Sequence, residues 1–463
     1  MIDFNNISNL YFLGIGGIGM SAMARYAAAT GKNVAGYDLT ATSLTRQLES
    51  EGIAVHYEDD INQFPDNFKS INSLVVRTPA VPDSLNELQV LKSRNYQIVK
   101  RSELLGFLTG SRFCIAVAGT HGKTSVSTMI AYLLHETGFD MGAFLGGISR
   151  NFNSNMVLPL NEESMVVTEA DEFDRSFLHL HPSISVLTSL EADHLDIYGS
   201  LESLREAFSL FIANTRSEGI VLLNKRVNMM HYLPQGVKGY TYSIDEEADF
   251  CIRNLNIING HFIFDLQTPY LLIHDVRTGY PGRVNLENMV GAAAAAMLAG
   301  ADPMEVKKAV LGYKGVVRRF DVRFRNDKVV YIDDYAHHPG ELDATIQSVR
   351  ELYGGKKILG VFQPHLYSRT RDFYKGFAKS LDLLDEAILL DIYPARETPL
   401  EGVSSTMIFN EMKLEKRRLC SMDQLLKVLR KSHYDVLLTM GAGNIDHMVE
   451  PLVQMLNHKF EKK

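Results

Sequence analysis

The sequence is poor in the features of secreted, membrane-spanning and nucleic-acid-wrapping proteins. Its three cysteines are too few and too widely spaced for a disulfide framework or a zinc site, so a reducing, cytoplasmic location is the expectation. No window approaches ~18 uninterrupted apolar residues, so no membrane span is expected. The opening MIDFNNISN lacks a basic segment followed by an apolar one, so no secretion signal is expected. A formal net charge of -8 argues against nucleic acid as a partner, although local basic sites for phosphates remain open.

The composition is instead that of ordinary globular domains, with 46% hydrophobic and 22% charged residues in a chain of 463. At ~100–200 residues per domain, this length predicts about three domains. Short apolar strands alternate with helices, a pattern typical of parallel sheets with crossover helices and hence of an α/β fold. We place boundaries near residues 109 and 315, which gives predicted domains at 1–109, 110–315 and 316–463.

A first glycine loop, GIGGIG at residues 14–19, follows an apolar strand and precedes a helix. Its Gly14, Gly16 and Gly19 satisfy the G-x-G-x-x-G pattern, in which backbone N–H groups approach a pyrophosphate at a helix N-terminus. Asp38 ends the second strand, where a dinucleotide fold carries its ribose-binding acid. The loop therefore predicts a diphosphate ligand, which could be NAD or a UDP-sugar. A tight turn without a ligand is the alternative.

A second glycine loop, AGTHGKTS at residues 118–125, has the same strand-before, helix-after context. Where the strict P-loop pattern has its first glycine, this chain has Val117, and Gly119 begins the shorter GTHGKT. In a P-loop, Lys123 would reach the β- and γ-phosphates of ATP, and the Thr124 hydroxyl would bind Mg²⁺. A chance GKT in an ordinary loop is the alternative.

Two acidic segments follow further strands of the same region: EADEFD at residues 169–174 and EADHLD at residues 191–196. Glu169 lies nearest its strand end and is our first choice for Mg²⁺, whereas the other acids of that segment could be solvated. His194 lies just beyond the second strand end. A lone histidine is usually a structural hydrogen-bonding group, but the two strand ends should meet at the ligand-binding edge of the sheet.

Together with further stretches of the chain, these motifs resemble those of the Mur ligase family, the ATP-dependent enzymes that build the peptidoglycan stem peptide. The matching stretches are FLGIGGIGMS (12–21), AVAGTHGKTS (116–125), TEADEFDRSFLHL (168–180), EADHLDIY (191–198), PGRVNLENMVGAAAA (281–295), RRFD (318–321), DDYAHHP (333–339), FQPHLYSRTRD (362–372) and GAGN (441–444). No single stretch is decisive, but nine in the same order are highly specific and cover nearly the whole chain.

The resemblance implies a Rossmann-like N-terminal domain for a UDP-sugar, a central P-loop ATPase-type domain with a parallel sheet, and a Rossmann-like C-terminal domain that closes over ATP and binds an amino acid. It also implies ATP and Mg²⁺ as cofactors. Within the family, residues 14–21 and 362–372 favour the member that joins L-alanine to the carboxylate of UDP-N-acetylmuramate. That reaction passes through an acyl phosphate and gives ADP and phosphate.

The resemblance also implies roles for individual residues. Those expected to act in catalysis are Lys123, His194, Arg319, His337, His365 and Arg369. Those expected to bind ATP are Gly119, Thr120, His121, Gly122, Lys123, Thr124, Ser125, Asn285, Asn288, Arg319 and Asp334. Those expected to bind the UDP-sugar are Gly14, Gly16, Gly17, Gly19 and Asp38. Those expected to bind metal are Thr124, Glu169 and His194.

Two departures from the family pattern and three alternatives remain. Many relatives have a histidine where this chain has Val284, and later ligases of the pathway have a modified lysine where this chain has AFSLF at residues 207–211. Alanine-adding members lack that lysine too, so the second departure supports the assignment. The alternatives are a sister ligase that adds a whole peptide, an NAD-dependent oxidoreductase, and a non-catalytic P-loop switch. Sequence predicts no oligomeric state.

Overall fold

Three β-sheets with flanking helices make up the part of the chain that the computed structural model describes: residues 6–161, 163–191, 198–258, 261–395 and 397–460, with the side chain of residue 174 left out. The first sheet has the order β3-β2-β1-β4-β5, and the strand pairs are parallel. Its strands are β1 Asn9–Leu13, β2 Asn33–Tyr37, β3 Ala54–His56, β4 Ser73–Arg77 and β5 Gln97–Lys100. Its helices are Ile18–Ala29, Ser43–Ser50, Asn86–Ser93 and Arg101–Thr109, with a 3₁₀ turn at Ile61–Gln63.

The second sheet has ten strands in the order β15-β14-β13-β12-β11-β10-β6-β9-β7-β8. They are β6 Cys114–Ala118, β7 Met141–Ser149, β8 Ser154–Val157, β9 Met165–Glu169, β10 Ile184–Leu187, β11 Ile220–Asn224, β12 Lys238–Ser243, β13 Phe250–Ile258, β14 His261–Gln267 and β15 Leu272–Thr278. The neighbouring helices are Lys123–Glu136, Leu201–Ala213, Arg283–Leu298 and Pro303–Val310, with 3₁₀ turns at Phe173–His179, Lys225–Val227 and Met230–Tyr232. The strands around β6 are parallel, whereas β7 pairs antiparallel with β8, and β14 with β15.

The third sheet has the order β16-β17-β21-β18-β19-β20 and is parallel except for β16. Its strands are β16 Asp321–Arg325, β17 Val330–Asp334, β18 Ile358–Phe362, β19 Glu386–Leu389, β20 Arg417–Leu419 and β21 Val436–Met440. Its helices are Pro339–Leu352, Tyr367–Leu381, Ser405–Glu411, Leu425–Lys431 and Val449–Phe460, with 3₁₀ turns at Met422–Gln424 and Asn444–Met448.

The central strands of these sheets are short apolar runs because helices cover both of their faces. All five residues of β1, of β6 and of β18 are buried. The helix Lys123–Glu136 is followed by Gly138 at a φ of +84°, a conformation that glycine commonly adopts just beyond a helix C-terminus. The predicted α/β class with three domain-sized sheets is therefore confirmed, and the antiparallel ends of the second sheet are an addition that the sequence did not indicate.

Backbone contacts group the chain into two units, each with its own core. The first contains the first two sheets and the segment Glu287–Lys314, and the second consists chiefly of Gly315–Lys463 with the segment Tyr280–Leu286. The predicted domain boundaries therefore stay a prediction. All three cysteines are buried and none forms a disulfide. Among the described residues, no helix combines the length and apolarity that a membrane crossing requires.

Candidate active site

The second glycine loop lies at the carboxyl edge of the second sheet, between β6 and the helix Lys123–Glu136. Gly119 has a φ of +139° and Gly122 a φ of +85°, values that side-chain-bearing residues rarely adopt. A Cβ atom on Gly119 would also collide with the Thr188 hydroxyl. Both glycines are therefore required by the path of the backbone, and the loop has the strand–loop–helix geometry of a phosphate-binding site.

Hydroxyl groups that follow the neighbouring strand β10 hold this loop in place. The His121 N–H donates to Ser189 Oγ over 2.7 Å, and Thr120 Oγ1 lies 3.0 Å from the same atom. Thr188 donates to the His121 carbonyl, and the imidazole of His121 lies 3.7 Å from Glu191. Thr188 and Ser189 were not among the predicted site residues, because hydroxyl residues beyond a strand are common in loops of every kind.

Lys123 points along the loop and pairs with a buried acid. Its Nζ donates to Glu172 Oε1 over 2.8 Å and to the Gly119 carbonyl over 2.6 Å. Burial alone would lower the pKa of Lys123, but the charges of Glu172, Asp171 and Glu169 outweigh it and raise the pKa above its ordinary value. The interpretation of the remaining acids as solvated is therefore wrong for Glu172, whose side chain is 0% exposed.

Glu169 and Thr124 form the oxygen pair that was predicted for a metal. Thr124 Oγ1 donates to Glu169 Oε2 over 2.8 Å, and a Cβ on Gly146 of β7 would overlap that carboxylate. Carboxylate and hydroxyl oxygens suit Mg²⁺, which typically takes few protein ligands and completes its shell with water and substrate phosphates. Among the described residues no group of three or more His, Cys, Asp or Glu could hold a metal. His194 lies outside the described residues, so its role stays a prediction.

The two asparagines predicted to bind ATP, Asn285 and Asn288, lie on one helix, Arg283–Leu298, but have different surroundings. Asn288 Oδ1 lies 3.0 Å from the position of a Cβ on Gly122, so it belongs to the surroundings of the second loop. Asn285 Nδ2 donates to the Pro281 carbonyl over 2.7 Å in the other unit. Ser125, in the first turn after the loop, is buried.

The first glycine loop has the same context at the carboxyl edge of the first sheet. The Gly16 N–H donates to Asp38 Oδ2 over 2.7 Å, and a Cβ on Gly16 would lie 2.6 Å from Thr45 Cγ2. Gly14 has a φ of +84°, and the helix after Gly17 begins without a side-chain cap. Asp38, which was predicted to bind the same ligand as the first loop, thus contacts that loop through the Gly16 N–H.

A cleft of about 230 Å³ connects the first loop with the edge of the second sheet at which Glu169 lies. Gly17, Gly19 and Arg101 line one side, and Thr168, Glu169 and Asp171 line the other. Arg101 Nη2 lies 3.5 Å from Asp171 Oδ2 across this cleft. The cleft thus reaches from the first loop to Glu169, which accepts a hydrogen bond from Thr124 at the end of the second loop.

The third sheet brings Asp334 and Arg319 together at its own carboxyl edge. Asp334 Oδ2 accepts from the Phe320 N–H over 2.7 Å, and Oδ1 accepts from the Ala336 N–H over 2.8 Å. Burial raises the pKa of Asp334 to about 6, although Arg319 and both N–H donors act in the opposite direction. The Arg319 guanidinium stacks on the Tyr335 ring at 5.1 Å.

Three further predicted residues of this unit also lie together. The rings of His337 and His365 are 6.0 Å apart, and His365 stacks on Tyr393 at 5.9 Å. Burial lowers the pKa of His337, the charge of Arg369 lowers it further, and Glu341 acts in the opposite direction. A neutral imidazole beside an arginine can accept a proton from an incoming ammonium group.

One buried ion pair of this edge was missed. Arg318 Nε donates to Asp333 Oδ2 over 3.1 Å, and its Nη2 donates to the Gly441 carbonyl over 2.5 Å. Thr439 Oγ1 donates to the other oxygen of Asp333 over 2.6 Å. Arg318 thereby holds the GAGN turn in place. The sequence did not indicate this role, because the functional prediction for the RRFD stretch fell on the adjacent Arg319.

Comparison with known proteins agrees with this geometry. Residues 9–112 match the Mur ligase family catalytic domain, residues 117–296 the Mur ligase middle domain, and residues 318–443 the Mur ligase glutamate ligase domain. The chain belongs to the Mur ligase family. In this Mur ligase the two glycine loops lie in the first two matched regions, and Arg319, His337, His365 and Arg369 lie in the third.

Individual relatives show which members of the family the chain resembles. This Mur ligase is 49% identical over 462 residues to a UDP-N-acetylmuramate–L-alanine ligase of Parabacteroides distasonis, with 100% of both chains covered. It is 46% identical over 456 residues to the same enzyme of Flavobacterium johnsoniae, covering 98% of this chain and 99% of that one. The crystal structure of a UDP-N-acetylmuramate–alanine ligase from Thermotoga maritima superposes with a TM-score of 0.81 at 26% identity, covering 97% and 99% of the two chains.

At the two places where this Mur ligase departs from the family pattern, the side chains are mainly apolar. Val284 is 45% exposed near the start of the helix Arg283–Leu298. Phe208 and Phe211 of the AFSLF segment are fully buried and pack on Phe177, with ring centroids 5.2 Å apart in both cases. The segment therefore contributes to the core and has no charge to offer to a metal.

Proposed function

We propose that the chain joins L-alanine to the carboxylate of UDP-N-acetylmuramate at the expense of ATP, giving ADP and phosphate, in the cytoplasmic part of peptidoglycan synthesis. The single observation that carries this proposal is the cleft that runs from Gly17 and Gly19 of the first loop to Glu169, the acid that is hydrogen-bonded to Thr124 of the second loop. A sugar nucleotide held by the first loop can extend along it toward a nucleotide held by the second.

The chemistry requires that arrangement. A carboxylate and an amine do not condense in water, so ATP must first phosphorylate the carboxylate, and both reactants of that step are anionic. Lys123, a cation by its raised pKa, can offset the charge on the phosphoryl group in transfer. Mg²⁺, when held by Thr124 and Glu169, would neutralise phosphate charge at the same place. The acyl phosphate that results is sensitive to water, so its enclosure is required.

The C-terminal unit supplies residues suited to the amine. His337 is kept neutral by burial and by Arg369, so it can take a proton from the alanine ammonium group. Arg369 and Arg319 carry positive charge that suits the alanine carboxylate or a nucleotide phosphate. These roles, and that of His365 beside His337, belong to the proposal.

An omission assay tests the proposal. Phosphate release should require ATP, UDP-N-acetylmuramate and L-alanine together, and chromatography of the spent nucleotide should show ADP. Release of AMP would contradict the acyl-phosphate route. Faster turnover with an L-alanyl peptide than with L-alanine would identify the peptide-adding sister activity instead.

A further inference from the structure

Arg101 lines the cleft between Gly19 and Glu169, and none of the motifs predicts a role for it. It is the first residue of the helix Arg101–Thr109, directly after the edge strand β5, and its side chain crosses to the wall formed by the second sheet. There its Nη2 lies 3.5 Å from Asp171 Oδ2, while the side chain remains 23% exposed. The guanidinium is therefore inside the cleft and accessible to a ligand.

Gly19, the last glycine of the first loop, provides the space for this guanidinium. A Cβ on Gly19 would collide with Arg101 Nη1 and lie 3.2 Å from Cζ. In a dinucleotide fold the third glycine of the motif permits close packing of the helix on the sheet. Here it permits close approach of an arginine, so loop and guanidinium form one surface.

The charges of the cleft are unbalanced around Arg101. Among the described residues that line it, Arg101 is the one cation, whereas Glu169 and Asp171 are acids. An anionic ligand that enters from the first loop meets these acids unless a cation lies between. Arg101 lies between Gly19 and Asp171, so it can offset that repulsion.

We propose that Arg101 binds the carboxylate of UDP-N-acetylmuramate, exchanging its contact with Asp171 for one with the substrate, and so places the reacting carboxylate beside Glu169. This assignment rests on the proposed function. The guanidinium already engages a carboxylate, in a geometry that it can repeat as a paired, fork-like contact. The diphosphate has a separate partner in the backbone N–H groups at the start of the helix Ile18–Ala29.

Two sugar nucleotides that differ in that carboxylate test the assignment. Calorimetry would measure the binding of UDP-N-acetylmuramate and of UDP-N-acetylglucosamine, which carries the same diphosphate without the carboxylate. Arg101→Met should weaken UDP-N-acetylmuramate by about 10- to 100-fold, the value of a charge-assisted pair, and leave UDP-N-acetylglucosamine unchanged. Arg101→Lys should fall between, because lysine keeps the charge but not the fork.

The matched control is Arg46→Met, which removes the same charge from an exposed position of the helix Ser43–Ser50. It should affect neither ligand, and thermal melts should show that all variants fold. Asp171→Asn should tighten UDP-N-acetylmuramate by a few-fold, since it removes the competing acid.

The outcomes separate the two levels of the proposal. Equal weakening of both ligands by Arg101→Met would assign Arg101 to the diphosphate, and unchanged binding of both would remove it from the site. Either result overturns the inference and leaves the proposed function intact. A parent protein that binds neither ligand and hydrolyses no ATP with UDP-N-acetylmuramate and L-alanine would overturn the proposed function itself.

Discussion

The two glycine loops have similar sequences and the same strand–loop–helix context, but different side-chain groups hold them in place. The first is held by an acid, because the Gly16 N–H donates to Asp38 from the end of β2. The second is held by the hydroxyls that follow β10, chiefly Ser189, which leaves its acids available for a cation and a metal. The difference teaches that similar glycine loops can have different surroundings: the first has an acid bound to a loop amide, whereas the second has its acids beside Lys123 and Thr124.

The buried acids near the loops repeat this contrast. Glu87, in the first domain, is fully buried and accepts a hydrogen bond from Tyr11 OH over 2.6 Å, while its other oxygen lies 3.3 Å from His56. Burial raises the pKa of Glu87 to about 7. Glu172, in the second domain, is equally buried but pairs with the ammonium of Lys123. One acid has neutral partners near pH 7, and the other has a permanent cation.

Lys123→Met should remove the buried ion pair that distinguishes the second loop from the first. Turnover should fall by at least about 10²–10³-fold, the scale of one preorganised electrostatic donor. Glu172 would lose the cation that it pairs with while it stays buried, and breaking such a buried ion pair costs about 3–5 kcal/mol of folding free energy. Adding Glu172→Gln should restore the melting temperature but not turnover. Steady-state kinetics with thermal melts measure both effects.

Lys225→Met, at an exposed lysine, is the control for this pair. Higher Mg²⁺ should not rescue Lys123→Met, because mass action cannot replace a side-chain cation. Recovery of turnover in the double variant would show that Lys123 serves the fold alone.

Gly16→Val should separate the ligands of the two loops. A side chain here would lie 2.6 Å from Thr45 Cγ2 and 2.8 Å from Asp38 Oδ2, so the loop must shift. Overpacking of this size costs about 1–3 kcal/mol, which predicts about 10- to 100-fold weaker binding of UDP-N-acetylmuramate. Binding of ATP should be unchanged in calorimetry. Equal weakening of both nucleotides would mean that the loops are not independent.

Glu169→Gln should sharpen the contrast by exposing the metal dependence of the second loop. The amide keeps one oxygen ligand but loses the charge, so the Mg²⁺ concentration for half-maximal turnover should rise by about tenfold. His194→Ala should behave similarly if His194 is a metal ligand. Glu206→Gln, at an exposed position of the helix Leu201–Ala213, should keep the parent curve. An unchanged curve for Glu169→Gln would remove it from the metal site.

The sequence predicted the frame of these loops well because buried parallel strands have a strong signature. The sequence predicts strands at Asn33–Tyr37, Ser73–Arg77 and Ile358–Phe362, and β2, β4 and β18 have these bounds, since each is a short, largely apolar run between turn residues. Glycine loops after such runs were assigned by context, and the structure places Gly16 and Gly122 in the loops that the motifs predicted.

The partners of the loops were not predictable in the same way. Glu169 and Glu172 are members of one acidic run, and only the position of Lys123 decides that Glu172 is buried and paired. Arg101 approaches Gly19 from a distant segment, a contact that periodicity does not encode. The strands β14 and β15, which pair antiparallel at the sheet margin, mix polar and apolar residues, so their sequence signal is weaker than that of a buried apolar strand.

Glu87→Gln should give the smallest effect and tests the contrast between the buried acids. The folded-state pKa of Glu87, about 7, is above its unfolded value, so ionisation disfavours the folded state. This cost is absent below the unfolded pKa, grows as pH rises toward 7 and is complete above it. The Gln variant should therefore gain melting temperature relative to the parent between pH 5 and pH 8, by about 2–4 °C per kcal/mol. Glu49→Gln, at an exposed position of the helix Ser43–Ser50, should show no such trend. A difference for Glu87→Gln that stays constant between pH 5 and pH 8 would mean that the pKa of this buried acid is not raised into that range.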